Sequence, residues 1–147
     1  MIVRVAEKED LDFILSLSKE RMEGSGSSLE EYRSYLYSKN MRIFVLLEDE
    51  LVGYLLLRLE KPEAEIDEIA LIKEKEGQGL ANILLSEALV SLEKEGYEKI
   101  FLEVRKSNKR AISLYSRNGL TLYRTRHLYY GDEDALCYEK ELIHHER

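Results

Sequence analysis

Glu103 is the residue in this chain whose setting most invites chemistry. It lies in KIFLEVR (99–105), where Ile100, Leu102 and Val104 fall on one face of a strand and Phe101, Glu103 and Arg105 on the other. If helices cover both faces, Glu103 is an acid on a substantially buried surface. An unpaired buried carboxylate is costly or takes up a proton, which is the condition of a general base with a raised pKa. The alternative is a Glu103–Arg105 pair on a wet face. In the segment that follows, SNKRAISLYSRNG (106 is Lys; the run covers 107–119), Asn108 stands at a helix start, as a cap or as a ligand contact. Ala111, Ile112 and Tyr115 share one helical face, so Tyr115 reads as a core aromatic or as a proton donor.

The second candidate is EKEGQGLANILL (74–85). Gly77, Gly79 and Ala81 open a helix, and glycine turns at helix starts hold anions through backbone N–H groups. The flanking Glu74 and Glu76 should repel an anion, so the turn needs another source of attraction. A Walker loop would require Gly-Lys-Ser/Thr, which is absent, and a dinucleotide fingerprint would want glycine where Asn82 stands. A turn with no ligand is the remaining alternative.

These residues need a scaffold, and the rest of the pattern supplies one. MIVRVA alternates as a first strand. Leu11, Ile14, Leu15 and Leu17 follow at helical spacing, and GSGSS (24–28) is a break. Ser28 with Glu31 forms a capping box, which predicts a second helix to about Tyr37, closed by Asn40. MRIFVLLE and LVGYLLLRLE, joined at Asp49-Glu50, read as an antiparallel hairpin ended by Lys61-Pro62, and AEIDEIALI as a strand leading into the glycine turn. Leu80, Ile83, Leu84, Ala88 and Leu92 mark an amphipathic helix stopped by Gly96. KIFLEVR, a short helix ending at Asn118-Gly119, and the strands LTLYRTR and DALCYEKEL complete the order β-α-α-β-β-β-α-β-α-β-β. That order implies a mixed α/β sheet with helices on both faces in one domain spanning 1–147.

Composition narrows the partners. The 147 residues carry a formal net charge of -7, which argues against nucleic acid or an anionic membrane as partner and favours a cationic one such as an amine. Cys137 is the single cysteine, so an internal disulfide is impossible and no Cys-based metal site is expected. The alternating terminal strand offers Cys137 no histidine to activate it. His127 has no ligand partner in evident spacing, and His144 and His145 fall in a charged tail. No run suits a signal peptide or a membrane span, so a cytoplasmic location is expected.

Together these blocks resemble the GNAT superfamily of N-acetyltransferases. They are most like the branch that acetylates protein N-termini, including ribosomal-protein alanine acetyltransferases and archaeal N-terminal acetyltransferases. IALIKEKEGQGLA resembles the family's strand and Gln/Arg-x-x-Gly-x-Gly/Ala turn, LEVRKSNKRAISLYSRNGL nearly the whole signature of the branch, and RHLYYGDEDAL its Arg-x-x-Tyr-Tyr…Glu-Asp-Ala element. The sequence departs from the pattern at Glu76, at Gly77 and in RMEGSGSS (21–28), where relatives carry a Leu-Pro-Glu stretch that shapes the acceptor site.

The resemblance implies a GNAT fold, with a mostly antiparallel sheet of about seven strands and about four flanking helices. It implies acetyl-CoA as cosubstrate and no metal. The diphosphate would be held by backbone N–H groups at Gly77, Gln78, Gly79, Leu80, Ala81 and Asn82, with Glu74 and Glu76 pointing into solvent and Lys73, Lys109, Arg110 or Arg117 offsetting charge. Ile69, Ala70 and Leu71 would line the acyl arm, the Leu71 N–H would polarise the thioester, and Asn108 would hold the arm or the strand–helix junction. Glu103 is the implied general base and Tyr115 the general acid. Tyr129 and Tyr130 would grip the acceptor, while Arg126 and Asp134 organise their loop. The implied acceptor is a protein or peptide N-terminus, a ribosomal protein or nascent chain included. Alternatives are a small-molecule amine as acceptor, or a non-catalytic acyl-CoA-binding module.

Overall fold

The computed structural model describes residues 1–142, so His144 and His145 lie outside the described residues. Strands β1 (Ile2–Val5), β2 (Met41–Leu47), β3 (Leu51–Glu60), β4 (Glu63–Leu71), β5 (Lys99–Arg105), β6 (Thr121–Arg126) and β7 (Ala135–Glu141) form one sheet in the order β1-β2-β3-β4-β5-β7-β6. Helices α1 (Leu11–Arg21), α2 (Leu29–Tyr35), α3 (Leu80–Lys94) and α4 (Lys109–Arg117) flank it. The predicted element order and the mixed, mostly antiparallel sheet are both present. Helix α2 stops at Tyr35, slightly short of the expected Tyr37.

Each sheet face carries its own core. Leu84, Leu85, Ala88 and Leu92 of α3 and Leu114 and Tyr115 of α4 pack against Ile100, Leu102 and Val104 of β5 and Ile66 and Leu71 of β4. On the other face, Leu11, Ile14 and Leu17 of α1 and Tyr32 of α2 pack against Ile43, Val45, Tyr54, Leu56 and Ala70. Local chemistry fixes the ends of these helices. Ser28 Oγ accepts from Glu31 N–H while the Glu31 carboxylate accepts from Ser28 N–H, closing the expected capping box. Asn108 caps α4 by accepting from Ala111 N–H at 3.1 Å.

The one parallel strand pair among the described residues positions the site. Strands β4 and β5 are in register only over Glu63–Glu65 with Lys99–Phe101; beyond Phe101 they part. Strand β5 instead continues its pairing with β7 on the other side, and β4 continues with β3. The register of β3 with β4 shifts between Leu56 and Leu57, opposite Glu68 and Ile66, so Asp67 is an extra residue on β4. That bulge resets the alternation of side chains as the strands diverge.

Candidate active site

The divergence leaves one edge of β4 unpaired. Ile72 N–H donates to Val52 C=O at 2.9 Å, which fixes the phase of the β3–β4 ladder. Alternation along an antiparallel ladder then turns the N–H groups of Leu71 and Ile69 away from β3, into the split. Gly53 makes this stretch possible. A Cβ there would sit 2.7 Å from the Ala70 carbonyl oxygen and 2.5 Å from a Leu71 methyl, so only glycine lets β3 approach at this point.

A cavity of about 560 Å³ opens beside the split, a volume typical of a small-molecule site. Every predicted cofactor contact except Gln78 lines it: Ile69, Ala70 and Leu71 from β4, Gly77, Gly79, Leu80, Ala81 and Asn82 from the turn and α3, and Asn108 from the start of α4. Gln78 is exposed, and its side-chain amide donates back to the Glu74 carbonyl. Helix α3 is preceded by Gly79 at its N-cap with φ 81°, has no side-chain cap, and has no acid in its first turn. Its first helical bond runs from Ile83 N–H to Gly79 C=O, so the N–H groups ahead of Ile83 have no partner within the helix. Those donors and the positive end of the helix dipole make an anion site.

Glu76 corrects one expectation. It does not point into solvent: it lines the cavity and pairs with both Arg21 and Arg110, the latter at 2.9 Å. Two guanidinium groups hold the carboxylate inward because a half-buried acid is better placed between cations than unpaired. Of the basic residues expected to offset cofactor charge, Arg110 and Arg117 line the cavity, whereas Lys73 and Lys109 do not. Arg21 lines it as well and went unnoticed in the sequence, because it belongs to α1, on the other core. With Arg21, Arg110 and Arg117 against Glu76, the wall is locally cationic in an acidic protein. The residues therefore fit a diphosphate, and the glutamate is neutralised rather than turned away.

Glu103, Tyr115, Tyr129 and Tyr130 stand outside this cavity lining. Glu103 lies on the face of β5 opposite Leu102 and Val104, as the alternation implied, but it is only partly buried and is not the unpaired acid that a covered face would hold. The alternative Glu103–Arg105 pair is not formed. Glu103 Oε2 instead accepts from Arg126 at 2.6 Å and lies 3.8 Å from the Cys137 sulfur. Arg105 pairs with Asp132 and Glu133 and lies over the Tyr130 ring at 4.3 Å.

Tyr115 is almost fully enclosed; burial, with a smaller contribution from neighbouring Tyr130, pushes its phenol well above the usual range. Tyr129 and Tyr130 meet edge to face at 5.1 Å, and Arg126 covers the Tyr129 ring at 4.6 Å. Asp134 organises the loop as expected, accepting from Leu128 N–H at 2.8 Å and pairing with His127 at 3.2 Å. Burial, and then Glu103, push the Cys137 thiol up, which suits an inert thiol.

A parted pair of parallel strands beside a glycine turn and an uncapped helix start defines a class, and the acetyltransferase (GNAT) family profile matches residues 11–120. The chain belongs to the GNAT acetyltransferase family. It is 26% identical to an N-alpha-acetyltransferase from Saccharolobus solfataricus over 160 residues, covering 95% of this chain and 92% of that protein. The crystal structure of the ribosomal-protein-S18-alanine N-acetyltransferase from Escherichia coli superposes with a TM-score of 0.86 at 25% identity, covering 99% of this chain and 96% of that one. A chimeric spermidine N-acetyltransferase from Vibrio cholerae reaches 0.84 at 25% identity, covering 97% and 96%.

Proposed function

We propose that this acetyltransferase moves the acetyl group of acetyl-CoA onto the α-amine of a protein or peptide N-terminus. The observation that carries the proposal is that Glu103 on β5 and Tyr115 on α4 occur within a single continuous signature, LEVRKSNKRAISLY, and that the same α4 segment lends Asn108, Arg110 and Arg117 to a cavity whose size and charge suit a diphosphate. The N-alpha-acetyltransferase from S. solfataricus and the S18-alanine enzyme from E. coli support that acceptor.

In this reading the unpartnered N–H groups at the start of α3 and Arg21, Arg110 and Arg117 hold the diphosphate. Acetyl-CoA supplies an acyl thioester. Leu71, with Ile69 beside it, points an N–H at the thioester oxygen, where negative charge grows during attack. Asn108 fixes the wall of the acyl-arm channel from the start of α4. Glu103, directly or through a water, accepts a proton from the acceptor ammonium. An α-amine has a pKa of about 8, against about 10.4 for lysine, so freeing it near neutral pH is easier by about 3 kcal/mol. The free amine then attacks the acyl carbon; as the C–S bond breaks, the Tyr115 phenol gives its proton to the departing sulfur, and the proton still on nitrogen passes out to restore the phenol. Tyr129 and Tyr130 border the acceptor and grip its backbone.

A second reading, a small cationic amine as acceptor, is favoured by the net charge of -7 and by the likeness to spermidine N-acetyltransferase. Labelled acetyl-CoA offered with N-terminal peptides, lysine-only peptides with blocked termini, and spermidine separates the two. Transfer to free N-termini, lowered by roughly 10²–10⁴ in Glu103→Gln and Tyr115→Phe, is the expected result. Transfer confined to lysine side chains or spermidine overturns the N-terminal acceptor.

A further inference from the structure

Glu68 takes no part in the chemistry above, yet its surroundings ask for a cation. The bulge at Asp67 places Glu68 and Ala70 on the α1/α2 face, while Ile69 and Leu71 face the cavity side. Glu103 sits on that same α1/α2 face of β5, and the two strands have parted between them. Glu68 and Glu103 thus stand on opposite lips of the split, on the side away from the cofactor cavity.

The hydrogen bonding of Glu68 is lopsided. Its Oε1 accepts from Tyr32 at 2.6 Å and from Tyr54 at 2.7 Å, and both phenols are fully buried. Tyr32 Oη also lies 2.6 Å from Ser18 Oγ, which ties the group to α1. Among the described residues Oε2 accepts nothing, and no cationic side chain pairs with Glu68. Its neighbours differ: Asp67 pairs with Arg58 at 2.9 Å, and Glu103 with Arg126. Burial raises the Glu68 carboxyl, the two phenols oppose that rise, and the charges of Asp67 and Glu31 add to it. Two buried phenols need only an acceptor, which a neutral amide would supply. A carboxylate with one oxygen left over is what an incoming ammonium would meet.

Resting on the acetyl-transfer reading above, we infer that Glu68 binds the acceptor's ammonium through Oε2 and presents it to Glu103 across the split. Glu68 is thereby a specificity determinant for protonated amines, and Tyr32 and Tyr54 hold its carboxylate in place.

The test is titration of amines into the CoA complex of wild type and of Glu68→Gln, a variant that keeps an oxygen for both phenols. The amines are an N-terminal peptide, its N-acetylated form, and spermidine. Wild type should prefer free amine over acetylated peptide, and Glu68→Gln should lose at least tenfold in that preference with its CoA affinity and melting temperature unchanged. In steady state the loss should fall on the acceptor KM more than on kcat. Equal amine affinity in the two proteins overturns the inference, as does a loss that CoA affinity and melting temperature share. If wild type takes spermidine alone and Glu68→Gln loses it, the peptide acceptor fails while the role of Glu68 stands.

Discussion

Glu76 shows how a residue that looks wrong in a sequence becomes intelligible once its partners are known. A glutamate beside a turn proposed to hold a diphosphate should weaken the ligand, yet here Arg21 and Arg110 bracket it within the cavity wall. In effect the carboxylate occupies the place of an anion. A phosphate entering the cavity competes with it for the same guanidinium groups, and it must also tolerate the charge of Glu76 itself. Glu76→Gln removes the competitor and leaves both arginines. The variant should bind CoA more tightly, by about 1 kcal/mol or roughly fivefold, a modest gain because Arg110 is largely exposed. Arg110→Ala should weaken binding by a similar amount. Isothermal titration with CoA checks both. Weaker binding in Glu76→Gln would mean that the carboxylate holds the arginines where the ligand needs them.

At the level of elements, the site depends on how closely β3 can run beside β4 while β4 leaves β5. Gly53 governs the first requirement, because a Cβ would press on the Ala70 carbonyl and the Leu71 side chain, in the stretch that turns its N–H groups into the split. Gly53→Ala forces backbone rather than a flexible side chain to move. It should destabilise the fold by about 1–3 kcal/mol, as overpacking does, and depress kcat because the Leu71 N–H shifts. Urea denaturation and steady-state kinetics report the two effects separately; an unchanged kcat would detach Leu71 from the chemistry. This dependence was not visible in LVGYLLL, because the atoms that a Cβ at Gly53 would meet belong to Ala70 and Leu71 on β4. What could be read were features confined to one stretch of chain: the Ser28–Glu31 box, the Asn108 cap, the glycine turn, and the alternation that set Glu103 apart from Leu102 and Val104. Partners far apart in sequence could not be read. Arg21 meets Glu76 across 55 positions, Tyr32 meets Glu68 across 36, and Glu103 found Arg126 rather than its neighbour Arg105. Spacing encodes periodicity and caps, whereas these pairs follow from which helix lands on which face.

Across the whole molecule, two electrostatic demands pull in opposite directions. The chain carries a net charge of -7, while the cavity wall gathers Arg21, Arg110 and Arg117 against a single glutamate. A distant anion feels the net charge and is repelled; once inside, it feels the arginines and the start of α3. On the proposed reading, a cationic acceptor would be drawn by the net charge and by Glu68 at the split. Salt separates these contributions, since at physiological ionic strength screening acts over about 8 Å and removes long-range steering before it reaches contacts within a cavity. Raising ionic strength from about 20 mM to about 150 mM should therefore slow association of a positively charged acceptor peptide several-fold. It should leave association of CoA unchanged or faster, and the loss of CoA affinity should appear in its dissociation rate. Stopped-flow measurements with a fluorescent peptide and a fluorescent CoA derivative read both rates. A peptide whose association ignores salt would show that the acidic surface does not steer the acceptor, leaving short-range contacts around Glu68 and Glu103 to select it.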